Sequence, residues 1–145
     1  MKLINLTNDP SINIYLPDGS VVCYPQKGCL RVNSDSIVVD AISSEMILGR
    51  IHKIPVMTTV WIPQELPPVI EDTMYIVSSL TAMAIRETHP ERKDFICPNT
   101  HPSQVVRHGK RVMGCLSFQR MWDVQERVEG YGIDGDIRVA YKREG

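Results

Sequence analysis

The sequence predicts an α+β fold: an N-terminal antiparallel β-sheet of short strands, one main helix and a C-terminal hairpin. Three observations predict it. Short runs rich in Val, Ile and Tyr recur through the N-terminal part, separated by turn signals such as "NDP" and "DG". One stretch, "MYIVSSLTAMAIRETH", carries apolar residues at helical spacing over several turns. Two strand-like runs, "DFICP" and "KRVMGCLSF", then bracket a polar turn. Strands followed by a segregated helix belong to the α+β class.

Taken in order, "KLINLT" alternates partly and stops at "NDP". "INIYLP" and "SVVCYP" flank Asp18-Gly19, the strongest hairpin signal in the chain. "CLRV" and "SIVVDAI" read as further strands. "MILGRIHKIPVMTTVWI" reads as two strands broken between His52 and Pro55. The three prolines of "PQELPPVIED" predict an extended connection. Asp72 or Thr73 can cap the helix. On a helical wheel Ile76, Val77, Leu80, Met83 and Ala84 share one arc, which is expected to face the sheet. Ser78, Ser79, Thr81 and Ala82 fall on the other side, where small residues let a ligand or a backbone approach. His89-Pro90 ends the helix. From Gln119 onward the tail reads as a short amphipathic helix, a Gly-Asp turn and a last strand, "IRVAY".

The 145 residues suit one domain, with a core over 1–118 and a C-terminal extension over 119–145. A formal net charge of −1 gives no field for a nucleic acid polymer or a membrane surface. The longest apolar run, Met74 to Ile85, is interrupted by Ser78, Ser79 and Thr81 and is too short to span a bilayer. The N-terminus lacks the apolar segment of a signal peptide, so a cytoplasmic protein is expected. Cys23, Cys29, Cys97 and Cys115 show no CxxC spacing and read as reduced thiols. Cys97, His101, His108 and Cys115 are the one set that offers zinc-ligand types, but their spacing fits no compact zinc pattern. There is no P-loop, no HExxH and no paired-carboxylate motif, so no metal, no cofactor and no enzyme are expected. A Cys97–His101 nucleophile pair has no signature spacing, and "FIC" points Cys97 inward.

The segment Arg92–Gly114 instead offers recognition chemistry. From His101 to Arg120 there are four Lys/Arg residues and no acid. Asn99 presents a donor and an acceptor, which suits a base or ribose edge. Arg107 and Arg111 suit phosphate, because a guanidinium forks onto two oxygens. Phe118 or Trp122 can stack on a purine. Alone, the segment also reads as a solvated hairpin turn.

Three stretches together carry a resemblance. "INLTNDPSINIY" resembles the pattern "INLTPHxINIY", and "DTMYIVSSLTAMA" resembles "xTxYIVSxxVAxA". "RKDFICPNT" followed by "GKRVMGCLSF" resembles "RxDLxxPxT…GxxxGCxxF". In this order and over roughly 3–118, the chain resembles the phage Thoeris anti-defence family, sponges of cyclic ADP-ribose isomer signals. The resemblance implies binding of a cyclic ADP-ribose isomer, or also of cyclic oligonucleotides of the CBASS type, without cleavage. It implies a homo-hexamer in the host cytoplasm. By position it places Asn99 at the base or ribose, Arg107 and Arg111 at the pyrophosphate, Phe118 as the stacking ring, and Ser78 or Ser79 on the wall. Two departures stand out: "LTNDP" replaces "LTPHP", and Thr58 occupies a position where the pattern has Arg. Such a change removes a charge-assisted bond of about 1.5–3 kcal/mol unless Arg50 or Lys53 substitutes. The competing expectation is a phage accessory protein that acts by protein–protein contact and takes no nucleotide.

Overall fold

The computed structural model describes residues 1–121. It is an α+β structure built from β1 (Lys2–Asn5), β2 (Ser11–Tyr15), β3 (Val21–Pro25), β4 (Val32–Ser43), β5 (Lys53–Pro63), β6 (Thr73–Ile76), α1 (Ser79–Thr88), β7 (Phe95–Pro98), β8 (Val105–His108), β9 (Arg111–Cys115) and β10 (Phe118–Gln119). The last strand expected at "IRVAY" and the stacking role considered for Trp122 lie outside the described residues. No helix among the described residues is long and apolar enough to cross a membrane.

Two four-stranded sheets and α1 make three layers. The middle sheet has the order β1-β6-β7-β10, with β1, β6 and β7 parallel. The outer sheet has the order β3-β2-β9-β8. One core lies between α1 and the middle sheet and includes Tyr75, Val77, Ile85, Phe95 and Cys97. The other lies between the sheets and includes Ile12, Ile14, Ile76, Ile96 and Cys115. Successive residues of β6 and β7 thus feed opposite cores, as a strand pleat requires. Arg92 clamps the edge of the first core: it forks onto Asp94 with two bonds of 2.9 Å and lies over the Phe95 ring.

This arrangement corrects the sequence reading in three places. The first strand does not join an antiparallel sheet with β2; it pairs in parallel with β6, because "MYIV" supplies a strand buried on both faces. Asp72 and Thr73 therefore cap no helix. Ser78 is the N-cap, its hydroxyl accepting from Thr81 N at 3.2 Å. The buried face of α1 is Thr81, Ala82, Ala84 and Ile85, while Leu80 and Met83 are exposed. The wheel had the wrong phase because Ile76 ends β6 and Val77 lies between that strand and the helix. The predicted helix stop holds: α1 ends at Thr88 with His89 as its C-cap.

The β2–β3 hairpin turns at Asp18-Gly19 as expected, with Gly19 at φ +92°. The expected "CLRV" strand does not form: only Val32 of it is in a strand, as the first residue of the twelve-residue β4, which takes in all of "SIVVDAI". Among the described residues it pairs only with β5, forming a two-stranded ribbon whose side chains are almost all exposed. The run "MILG" is not a strand but the ribbon tip, and β5 continues straight through Pro55. Proline is tolerated there because β5 has a free edge.

Candidate functional site

Strands β1, β6 and β7 end at the same side of the middle sheet, and their following loops line a cleft. The β1–β2 loop contributes Asn8, Asp9 and Pro10; the end of β6 contributes Ser78 and Ser79; the end of β7 contributes Pro98 and Thr100. This part has a volume of about 610 Å³. It continues past Pro10 and Thr100 into a second part of about 390 Å³, walled by Asn13, Arg111 and Gly114 of the outer sheet. Ligands of parallel sheets characteristically bind beyond the carboxyl ends of the strands. Both volumes fall in the range of small-molecule sites.

The wall at Asn8–Pro10 is rigid because Asn5 holds it from below. Asn5 is fully buried. Its amide donates to Tyr24 O at 2.8 Å and to Asp9 O at 3.3 Å. Its carbonyl accepts from Thr7 N at 2.9 Å and from Thr7 Oγ1 at 2.7 Å. Asp9 N in turn donates to Thr7 Oγ1 at 3.1 Å. The amide's full bonding capacity is spent on fixing one turn.

Two features of the cleft favour an anion. The N-terminus of α1 opens at Ser78 and Ser79, and the first turn of a helix leaves backbone N–H groups without intrahelical acceptors. Arg111 lines the second part, and among the described residues its guanidinium forms no hydrogen bond or ion pair. Asp9 adds an acceptor, which suits a ribose hydroxyl.

Of the residues singled out in the sequence, Ser78 and Ser79 line the first part of this cleft and Arg111 lines the second. The others do not line it. Asn99 sits next to the cleft residues Pro98 and Thr100, but its side chain is engaged locally. Its amide donates to Ser117 Oγ at 3.2 Å and its carbonyl accepts from His101 N at 3.2 Å. Arg107 lies near the exposed end of β8, its guanidinium donating to Lys110 O in the following turn at 3.4 Å. Phe118 packs onto the core between the sheets, its ring centroid 6.0 Å from that of Tyr24. Thr58 lies on the β4–β5 ribbon and lines neither part of the cleft. Thr100, which the sequence places beside Asn99 at a strand end, does line the cleft, whereas Asp9 was missed by the sequence reading. "NDP" read as a turn only, and a turn signal does not reveal what the turn faces.

Cys97 is 0% exposed and donates to Gln119 O at 3.7 Å. Burial pushes its thiol up, and burial likewise raises Cys115, with Asp9 adding to the effect. A raised thiol pKa opposes thiolate formation, the reverse of what a nucleophile needs. Among the described residues no three His, Cys, Asp or Glu side chains form a group able to hold a metal ion. Four free thiols with these environments should label in order. At pH 8 a thiol reagent is expected to modify exposed Cys23 first and Cys29 more slowly. Cys97 and Cys115 should react only at the rate of unfolding, as read by mass spectrometry. Folding favours the neutral form of both buried thiols. The stability they contribute is therefore intact below their unfolded-state pKa and is lost as pH rises through the higher folded value.

No family model matches this chain, and neither the curated proteins nor the solved structures yield a match to it.

Proposed function

We propose that this chain binds and sequesters a cyclic nucleotide signal, a cyclic ADP-ribose isomer or a cyclic oligonucleotide, without cleaving it. The site is the cleft beyond β1, β6 and β7. The observation that carries this reading is the unengaged Arg111 guanidinium sharing a cleft with the N-terminus of α1. A phosphate-bearing ligand that spans both parts finds a fork of donors in the second and backbone N–H groups in the first. Asn8 and Asp9 supply partners for ribose hydroxyls. The motif resemblance supports the same ligand class, and with it a homo-hexamer acting in the host cytoplasm. The absence of an activated nucleophile among the described thiols is compatible with binding alone.

The affinity required is physically accessible. A cyclic ADP-ribose has about 35 heavy atoms, and about −0.3 kcal/mol per atom gives about −10 kcal/mol, on the order of tens of nanomolar. A thermal-shift screen across cyclic ADP-ribose isomers and cyclic di- and trinucleotides tests the reading. At least one should raise the melting temperature, and heat denaturation should return it chemically intact. Recovery of a cleaved product makes the protein an enzyme, and no shift with any of them ends the proposal. Arg111→Ala is expected to weaken binding by about 10- to 100-fold, since a charge-assisted bond contributes about 1.5–3 kcal/mol. Arg107→Ala, on the outer turn, is expected to change affinity by less than about threefold. Equal losses in both variants would point to a diffuse basic surface in place of this cleft. A protein acting only through protein–protein contact would show neither the shift nor the difference.

A further inference from the structure

Among the described residues two charged ones line the cleft, and their signs are opposite: Asp9 and Arg111. They form no ion pair with each other or with any other described residue. A cleft that only gathered anions would gain nothing from a carboxylate, because a like charge close to a phosphate opposes it. The turn at Asp9 does not require the charge either. The side-chain bond that it makes there, Oδ1 accepting from Ser11 N at 3.2 Å, is one that asparagine makes equally well.

The position of Asp9 is as informative as its charge. Asp9, Pro10, Ile12, Pro98 and Thr100 border both parts of the cleft and so form the waist between them. Arg111 lies on one side, in the part of about 390 Å³, and the part of about 610 Å³ lies on the other. Pro10 and Pro98 bring no N–H to the waist, and the Asp9 N–H is given to Thr7 Oγ1 at 3.1 Å. Of the two polar side chains there, Thr100 can donate or accept, whereas ionised Asp9 only accepts. Asp9 is also held in place: its backbone O accepts from Asn5 Nδ2 at 3.3 Å, and Ser11 N fixes one carboxylate oxygen. The second oxygen has no partner among the described residues. Burial is the larger cause of the raised Cys115 thiol, but the Asp9 charge adds to it, and Cys115 lines the second part. The charge is therefore felt inside the cleft.

Along the cleft the order is a basic residue, then an acidic residue between two prolines, then the larger space. Along a nucleotide the order is phosphate, sugar, base. We propose that Asp9 determines sugar specificity. With phosphate on Arg111, a ribose at the waist donates its free hydroxyl, the 2′-hydroxyl of a 3′,5′-linked nucleotide, to the unpartnered Asp9 oxygen. The cleft thereby selects ribonucleotides over 2′-deoxyribonucleotides. This inference rests on the nucleotide reading of the cleft and adds which sugar it admits and through which side chain. The carboxylate acts in two directions: it binds a hydroxyl that can donate, and it keeps phosphate out of the waist. Asn8 borders the first part alone and is not placed to do this.

Calorimetric titration of the purified full chain with adenosine 3′,5′-bisphosphate and with its 2′-deoxy counterpart tests this. The two compounds differ by one hydroxyl and carry the same charge. The wild type should bind the ribo compound at least about tenfold more tightly, as a hydrogen bond to a charged group implies. Asp9→Asn keeps the acceptor for Ser11 N, so the melting temperature should hold. The variant's preference should shrink to less than about threefold, because a neutral hydrogen bond is about half as strong. It should bind the 2′-deoxy compound no more weakly than the wild type does, because a like charge has gone. Arg111→Ala should weaken both compounds by the same factor and leave the preference intact. If Asp9 served only to shape the wall, Asp9→Asn would weaken both compounds alike, and that result overturns the proposal. Equal binding of the two compounds by the wild type overturns it too, while the nucleotide reading stands. Binding of neither compound at about 1 mM, where even weak complexes form, also overturns it, and the thermal-shift screen then decides whether the nucleotide reading falls with it.

Discussion

Gly114→Val is expected to lower the melting temperature by about 10 °C, the result of an overpacking cost near 3 kcal/mol in a domain of this size. An ideal Cβ at position 114 would lie 2.5 Å from Asn13 O, 2.9 Å from Tyr15 Cε1 and 3.1 Å from Asn13 Cβ. The nearest of these is backbone of β2, which cannot swing aside as a side chain can. β2 is held on its other side by five paired residues of β3 and drives Ile12 and Ile14 into the core between the sheets. The strand that must yield is β9. Its displacement breaks the bond from Asn13 Nδ2 to Met113 O, 3.2 Å long, and the single β2–β9 pairing of Ile14 with Cys115. It also carries Arg111 away from the cleft, so ligand affinity should fall together with stability. Gly114→Ala should show a smaller loss of the same kind. Calorimetry settles it: a valine variant that melts within about 2 °C of the wild type would mean that β9 has room the structure does not show.

The close approach at Gly114 is invisible in "VMGCL", and the reason is general to this chain. Local turn chemistry is legible: Asp18-Gly19 and "NDP" act within a few residues, and the structure has turns at both. Strand β7 was legible in "DFICP", but β6 was harder because both of its faces are buried, so "MYIV" lacks the alternation that marks a half-exposed strand. That ambiguity let "MYIV" be absorbed into the helix, which then set the wrong face of α1 inward. The ribbon was readable as strand, but nothing in "PVMTTVWI" says that no layer covers it. At the cleft, Ser78, Ser79 and Arg111 were legible from residue type and order. Asn99 was chosen for its chemistry, yet that chemistry is consumed by Ser117 and His101. Phe118 looked like a stacking ring for the same reason that it serves the core. Residue type proposes a partner, and only the fold decides whether the partner is a ligand or a neighbour.

Asn5→Leu is the second substitution with a large expected effect, about 3 kcal/mol of stability. Leucine has the same branching and the same number of side-chain heavy atoms as asparagine and β1 is well paired, so the strand should survive with a modest cost for the bulkier methyl groups. What is lost is polar satisfaction: Thr7 N–H, Thr7 Oγ1 and Tyr24 O all bond to the Asn5 side chain and would be left without it. Each buried polar group without a partner costs about 1–3 kcal/mol. The damage should concentrate at the β1–β2 loop. Hydrogen exchange at the Thr7 and Asp9 amides is expected to accelerate more than exchange in β6 or α1, because these two amides bond within the network. Thr7→Val removes one arm of the same network and should cost about 1 kcal/mol alone. Combined with Asn5→Leu it should cost less than the sum of the two, since both changes break the bond from Thr7 Oγ1 to Asn5 Oδ1, while only Thr7→Val also removes the acceptor of Asp9 N. Additive losses would show that the two residues act separately. Because Asn8, Asp9 and Pro10 form a wall of the cleft, the single Asn5→Leu change should also weaken ligand binding, although Asn5 itself is buried beneath that wall. Unchanged affinity in a protein with a loosened loop would detach this wall from recognition and leave Arg111 and the α1 N-terminus to carry it.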